Sequence, residues 1–232
     1  MRASVRYGAA VKTSLAFLLA VAGCTDDGAS FGPPTTVGPP ATALVPNSTV
    51  ACADGFPIQI NASFPQPFTG QGAASCTIVT YSNVQPTAAG KIVAATIGVG
   101  AVTGPMRFVR LRILAEQSTG NACCSAEEFA APFTPAANGL TTVPLDLVME
   151  RGTDVNTGIA FNDWIGLEVM APNVPIPGVW TNNGGADITL PDYLWLPALS
   201  ARGMGTPTQN LRSEGSYSGF VPTFNVSFAP AQ

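Results

Sequence analysis

The chain has no histidine, and only 10% of its 232 residues are charged, against an average of about 25%. The missing imidazole removes the commonest general base and metal ligand. Ser-His-Asp and Cys-His catalysis are excluded with it. The usual zinc sets fail too, because no Cys-x-x-Cys spacing is present. Lysine is confined to Lys12 and Lys91. No basic cluster exists to neutralise phosphates, which speaks against nucleic acid as a partner and against anionic headgroups. Phosphate-binding and dinucleotide-binding glycine motifs are absent, so nucleotide binding has no support. No run has helical periodicity over a useful length.

What is there begins at the N-terminus. Arg2, Arg6 and Lys12 precede an apolar stretch, Leu15 to Ala22. It is too short for a bilayer span, which takes roughly 20 apolar residues. It suits an export signal, whose apolar region needs about 7–15. The stretch closes on Val21-Ala22-Gly23-Cys24. This ending resembles the lipobox of bacterial lipoproteins. The resemblance implies a signal peptide over 1–23, cleavage before Cys24, and lipid on the sulfur and new amino group of Cys24. It implies an extracytoplasmic address, anchored to the cell membrane or outer membrane. Several acyl chains on one residue hold a membrane where a single chain binds only marginally. Thr25 rather than aspartate follows Cys24, so the inner-membrane retention signal of that family is missing. The alternative is ordinary secretion with Cys24 incidental.

Cleavage would remove three of the ten basic residues and none of the fourteen acidic ones, leaving a net charge of about −7. Residues 24–46 are rich in proline, glycine and threonine, with Gly32-Pro33-Pro34 and Gly38-Pro39-Pro40. Such a stretch reads as an extended tether. Residues 47–232 are the expected folded unit, long enough to bury a substantial core.

Within that unit apolar residues alternate over short runs, the period of strands. Phe56, Ile58 and Ile60 form one run; Thr77 to Tyr81 form another. Val93, Ala95, Ile97 and Val99 follow. Val109, Leu111 and Ile113 share a face opposite Phe108, Arg110 and Arg112. Val143, Leu145, Leu147 and Met149 oppose Thr142, Asp146 and Glu150. Ile165, Leu167 and Val169 oppose Trp164, Gly166 and Glu168. Phe224, Val226 and Phe228 close the chain. One short helical turn is expected at Ser125 to Ala131, where Ser125 caps Glu127 and Glu128. Many half-buried strands and almost no helix predict an all-β fold, an antiparallel β-sandwich of jelly-roll type. Pro105 to Arg112 and Phe133 to Asn138 are similar to segments of uncharacterised exported β-domains of high-GC bacteria, a resemblance that implies no activity.

Cys52, Cys76, Cys123 and Cys124 are an even set in an exported chain, which points to disulfides. Three pairings are open. Cys52–Cys76 with a vicinal Cys123–Cys124 bridge is preferred, because Cys52 and Cys76 flank a short turn-rich loop.

The expected function is a non-catalytic binding module. Trp164 is predicted to face away from the core beside Glu168, and Trp180, Tyr193 and Trp195 lie in a late loop-rich region with Asn182, Asn183, Asp187 and Asp192. Rings stack on sugar faces while amides and carboxylates read hydroxyls, so an envelope or extracellular glycan is the candidate ligand. Each ring taken alone is more readily a core residue than a ligand contact. The alternative is a structural protein of the envelope that binds another envelope protein. A glycoside hydrolase needs only two carboxylates, and Glu150, Asp154, Asp163 and Glu168 are the candidates. No cofactor is expected. Calcium has a weak motif in Asp154-Val155-Asn156-Thr157-Gly158 with Asn162-Asp163, whose spacing departs from an EF-hand and suits a plain turn.

Overall fold

The computed structural model describes residues 30–38, 51–52, 75–79, 85–114, 124–155, 158–180, 192–202, 215–217, 220–222 and 224–232. They build an antiparallel β-sandwich. The strands are β1 Thr35–Val37, β2 Cys76–Val79, β3 Gly90–Val99, β4 Met106–Leu114, β5 Cys124–Phe129, β6 Gly139–Met149, β7 Arg151–Thr153, β8 Ala160–Val169, β9 Gly178–Trp180, β10 Asp192–Trp195, β11 Gly215–Tyr217, β12 Phe220–Pro222 and β13 Phe224–Pro230. One sheet runs β1-β13-β3-β6. The other contains β2-β8-β4-β5, extended beyond β2 by β10 and β11, with β7 also pairing to β8. These two four-strand orders are those of a jelly roll, two interlocked Greek keys. The connection from β8 to β13 carries the additions, including the β9–β12 ribbon.

Alternation explains the core. In β6 the inward set Val143, Leu145, Leu147 and Met149 is buried or half-buried, and Leu140, Thr142, Pro144, Asp146 and Val148 point to water. Val226, Phe224 and Phe228 from β13 meet Ile165, Leu167 and Val169 from β8 in one apolar cluster. Phe108 ties the sheets together. Its ring lies 5.3 Å from Phe224, edge to face, and 5.5 Å from Phe133, stacked. Cys52 and Cys76 form a disulfide inside this core. Its formation rules out both pairings that would join those cysteines to Cys123 and Cys124. Cys123 and the Cys124 side chain lie outside the described residues.

Three expectations change. β3 carries a bulge between Ile92 and Ala94, so Ile92 and Ala95 both point inward and Val93 becomes half-buried. One extra residue reverses the parity of everything before it. Ser125 to Ala131 holds a strand, not a helical turn: β5 pairs along β4, with a register shift that leaves Glu127 unmatched. Pairing with an otherwise bare strand outweighs a weak local helix preference. The segment 24–46 is not wholly a tether. Phe31 bridges Ala231, Gly32 donates its N–H to the Pro230 carbonyl (2.8 Å), and Thr35–Val37 pair with β13. Thr35, Thr36 and Val37 are good strand formers, and the neighbouring prolines fall where an edge tolerates them. The run at Phe56, Ile58 and Ile60 lies outside the described residues.

Side chains also complete the sheet. Where β2 ends, the Gln85 amide takes over: its Nε2 donates to the Ile165 carbonyl (2.9 Å) and its Oε1 accepts from the Ile165 N–H (2.8 Å). Gly90 is required by close approach. A Cβ there would strike the Ala229 carbonyl oxygen and the Phe228 ring, which fills the space a side chain would need. Gly90→Ala should therefore destabilise the fold by about 1–3 kcal/mol through overpacking, read as a lower urea midpoint with an unchanged slope.

Candidate functional site

Among the described residues, three places concentrate polar or aromatic groups: the outer face of the larger sheet, the charged end of the sandwich beside β7, and the outer face of the smaller sheet.

The first holds the predicted tryptophans. Antiparallel register sets Arg107 against Glu168, Leu111 against Trp164, and Thr77 against both Glu168 and Trp195. All point away from the main core, as predicted for Trp164 and Glu168, but this face is not bare. The segment Trp195–Leu199 folds across it. Trp164 and Trp195 pack with Val109, Leu111, Ile113, Ala126 and Leu199 in a second apolar cluster. Trp195 is fully buried and Trp164 is 6% exposed. The expectation of an exposed Trp164 is thus corrected: β8 has apolar cover on both sides.

Glu168 is fully buried and serves this cover. Its Oε2 accepts from Arg107 Nε (2.7 Å). Its Oε1 accepts from the Thr77 hydroxyl (2.8 Å) and the Ser200 N–H (3.0 Å). The Thr77 hydroxyl accepts in turn from the Leu199 N–H (2.9 Å). Leu199 and Ser200 open a single 3-10 turn, Leu199–Arg202, whose first N–H groups would otherwise lack partners. The Arg107 guanidinium lies 4.4 Å from the centroid of the Phe129 ring. Glu168 is therefore the cap and counter-ion of a folded segment, which leaves none of its oxygens for a ligand. This corrects its assignment to a binding site. Trp180 and Tyr193 sit in β9 and β10, with their side chains outside the described residues; Asn182, Asn183 and Asp187 lie outside them altogether, as does Cys24.

The charged end is built on Asp163, also buried. Its Oδ2 accepts from Arg110 Nη1 (2.7 Å), the Glu150 N–H (2.9 Å) and Arg112 Nη2 (3.4 Å), and its Oδ1 from Arg112 Nε (3.0 Å). Arg112 also pairs with the exposed Glu150 and lies over the Phe161 ring at 4.1 Å. Burial disfavours the Arg112 charge, yet hydrogen bonds and attraction from Asp163, with Glu150 and Glu127 beyond, raise its pKa above the ordinary arginine value. Arg110 Nε makes no hydrogen bond, although Glu128 Oε2 lies 3.5 Å away at ion-pair distance. Of the four hydrolase candidates, Asp163 and Glu150 share an arginine, while Glu168 is on the other face of β8. Asp154 closes the β7–β8 turn, accepting from the Gly158 N–H (2.8 Å) and donating its own N–H to the Ile159 carbonyl (2.9 Å). Gly158 takes a positive φ of 69° there. Asn156 and Thr157 of the calcium motif lie outside the described residues.

The third place was not singled out by sequence. Rows of side chains cross the outer face of the smaller sheet: Thr36, Ser227, Ala94 and Pro144 in one, then Asn225, Thr96 and Thr142 in the next, then Leu140 opposite Gly98. All have short or uncharged side chains. The Thr96 and Thr142 hydroxyls are hydrogen-bonded to each other (2.9 Å). Among the described residues of this face, charge enters at one end, where Lys91 pairs with Asp146 (2.5 Å).

Removing one partner of the buried Glu168–Arg107 pair should cost about 3–5 kcal/mol, because it strands the other charge. In a double-mutant cycle followed by urea unfolding, Glu168→Leu alone should be worse than Glu168→Leu with Arg107→Met. A double-mutant loss equal to the sum of the two single losses would show that the two side chains are not coupled. Comparison with protein families, with curated proteins and with solved structures finds no match to the chain.

Proposed function

We propose that the protein is a membrane-anchored extracytoplasmic lipoprotein, held by Cys24, whose jelly roll is a non-catalytic binding module for a neutral envelope glycan. The observation that carries this reading is the unequal treatment of the two outer faces. The chain covers one with its own Trp195–Leu199 segment. The other presents Thr36, Thr96, Thr142, Asn225 and Ser227 with almost no charge. Hydroxyl and amide groups set side by side on a sheet face suit hydroxyl-rich, uncharged polymers, and Leu140 and Val148, both over 40% exposed, offer apolar contact to sugar C–H surfaces. Ring stacking by Trp164 and Trp195 has no part in it, since both rings are packed inside.

The absence of catalysis is supported by the carboxylates. Asp163 spends both oxygens on two arginines and a backbone N–H, and Glu168 is sealed from solvent. General acid–base work needs a carboxyl able to reach a substrate proton.

Two measurements test the reading. A fatty-acid probe should label the protein in cells, and Cys24→Ala should abolish labelling and move the protein to the aqueous phase of a detergent extraction. An array of neutral polysaccharides should show binding that Thr142→Arg weakens by about tenfold, the loss of roughly 1.4 kcal/mol, while Ala201→Arg on the covered side leaves it unchanged. A silent array would remove the glycan and leave an envelope assembly protein as the reading.

A further inference from the structure

We infer that the protein is held on a short leash, with the end of the sandwich that carries Ser30, Phe31, Gln232 and the β7–β8 turn resting on the bilayer surface. The inference deepens the proposed anchoring at Cys24 and depends on it. Its basis is where the folded chain begins. The Ser30 hydroxyl donates to Gln232 Oε1 (3.0 Å), the Gln232 N–H donates to the Ser30 carbonyl (3.0 Å), and Phe31 bridges Ala231. Only residues 25–29 separate Cys24 from this pairing. Fully extended, the span from 24 to 30 reaches about 20 Å. The interfacial zone on each side of a bilayer takes up roughly 5–8 Å of that. Roughly 12–15 Å remains, less than half the length of a ten-residue strand, which is about 33 Å.

Several contacts fix which groups share this end. Gly90 pairs with both Pro230 and Met149. The Ala231 N–H donates to the Ala89 carbonyl (3.0 Å), and Arg151 Nη1 donates to the Thr87 carbonyl. β7 and β8 pair from Arg151–Asn162 to Thr153–Ala160, so their turn projects past this end. In this turn Val155 is 94% exposed, the most exposed of the described large apolar residues. Lys91 is neutralised by Asp146 and Arg112 by Asp163 and Glu150. A charge-balanced end with an apolar tip fits a zwitterionic lipid surface, into whose interfacial layer a valine can dip.

The test uses full-length, lipidated protein in phosphatidylcholine vesicles. A photo-crosslinking amino acid replaces Val155, or Val102, which is 56% exposed in the β3–β4 loop at the opposite end. Lipid adducts should be about fivefold more abundant at 155, and a 20-residue Gly/Ser insertion between 29 and 30 should bring the two sites close to equality, because such a coil spans roughly 25 Å on average. Equal adducts without the insertion would overturn the leash. Fatty-acid labelling of the same samples separates the two levels: unlabelled protein overturns the anchor itself, and labelled protein with equal adducts overturns only the orientation.

Discussion

Burial of β8 on both faces is the constraint from which the rest of the arrangement follows. Seven consecutive residues, Asp163 to Val169, are buried. Ile165, Leu167 and Val169 feed the main core, and Trp164 feeds the second cluster. Two carboxylates sit in this strand, Asp163 facing the arginine-rich end and Glu168 facing the covered side. A buried carboxylate is tolerated only with charge and hydrogen-bond partners. β4, running antiparallel beside β8, supplies them: Arg107 opposite Glu168, Arg112 opposite Asp163, and Arg110 one register step away. Arg107 on one face of β4, and Arg110 and Arg112 on the other, are there because their neighbour strand has no solvent to offer its acids.

The same constraint decides what could be read from sequence. Period-two patterning located β4, β6, β8 and β13 and grouped their residues by face correctly. It also gave the sandwich class. For β6, buried on one side, the grouping told inside from outside. For β4 and β8 it could not, because both groups are buried, and Trp164 beside Glu168 looked like a wet face. The cover comes from Trp195–Leu199, some thirty residues further on, so no local signal announces it. The Glu127-Glu128 pair misled for a related reason. As a local feature it starts a helix, while in the fold Glu128 stands opposite Arg110. The β1 strand was hidden in a proline-rich context, although Phe31, Thr35 and Val37 carried a legible apolar and β-branched pattern. The bare face of the smaller sheet escaped notice because short polar residues look uninformative until register sets them side by side.

The edges of the sandwich are guarded. β1 is three residues long with Pro33 and Pro34 ahead of it. β6 carries Pro144 in mid-strand, with a register shift beside it. β5 has its own irregularity at Glu127. Short strands, prolines and bulges all discourage another chain from adding on by backbone pairing. For a chain with so little surface charge, that protection matters, since charge repulsion contributes little to keeping copies apart. Contact with a partner is therefore directed to faces rather than edges.

Of the two large faces, one is already occupied by the chain itself, so the proposed leash acquires a consequence for the other. Strands β3, β6 and β13 run along the length of the sandwich from the end that holds Ser30 and Gln232. If that end rests on the bilayer, the strand axes rise from it and the Thr36–Thr96–Thr142 face looks sideways along the membrane. A face so placed meets what lies within a few nanometres of the lipid surface, and it meets it without swinging on a long stalk. Tethering then raises the effective concentration of whatever is fixed in that same layer, so even a modest affinity from hydroxyl and amide contacts can hold the domain there. A weakly binding surface with little charge is a poor way to capture a dilute soluble ligand and a sufficient way to grip a polymer that is always alongside.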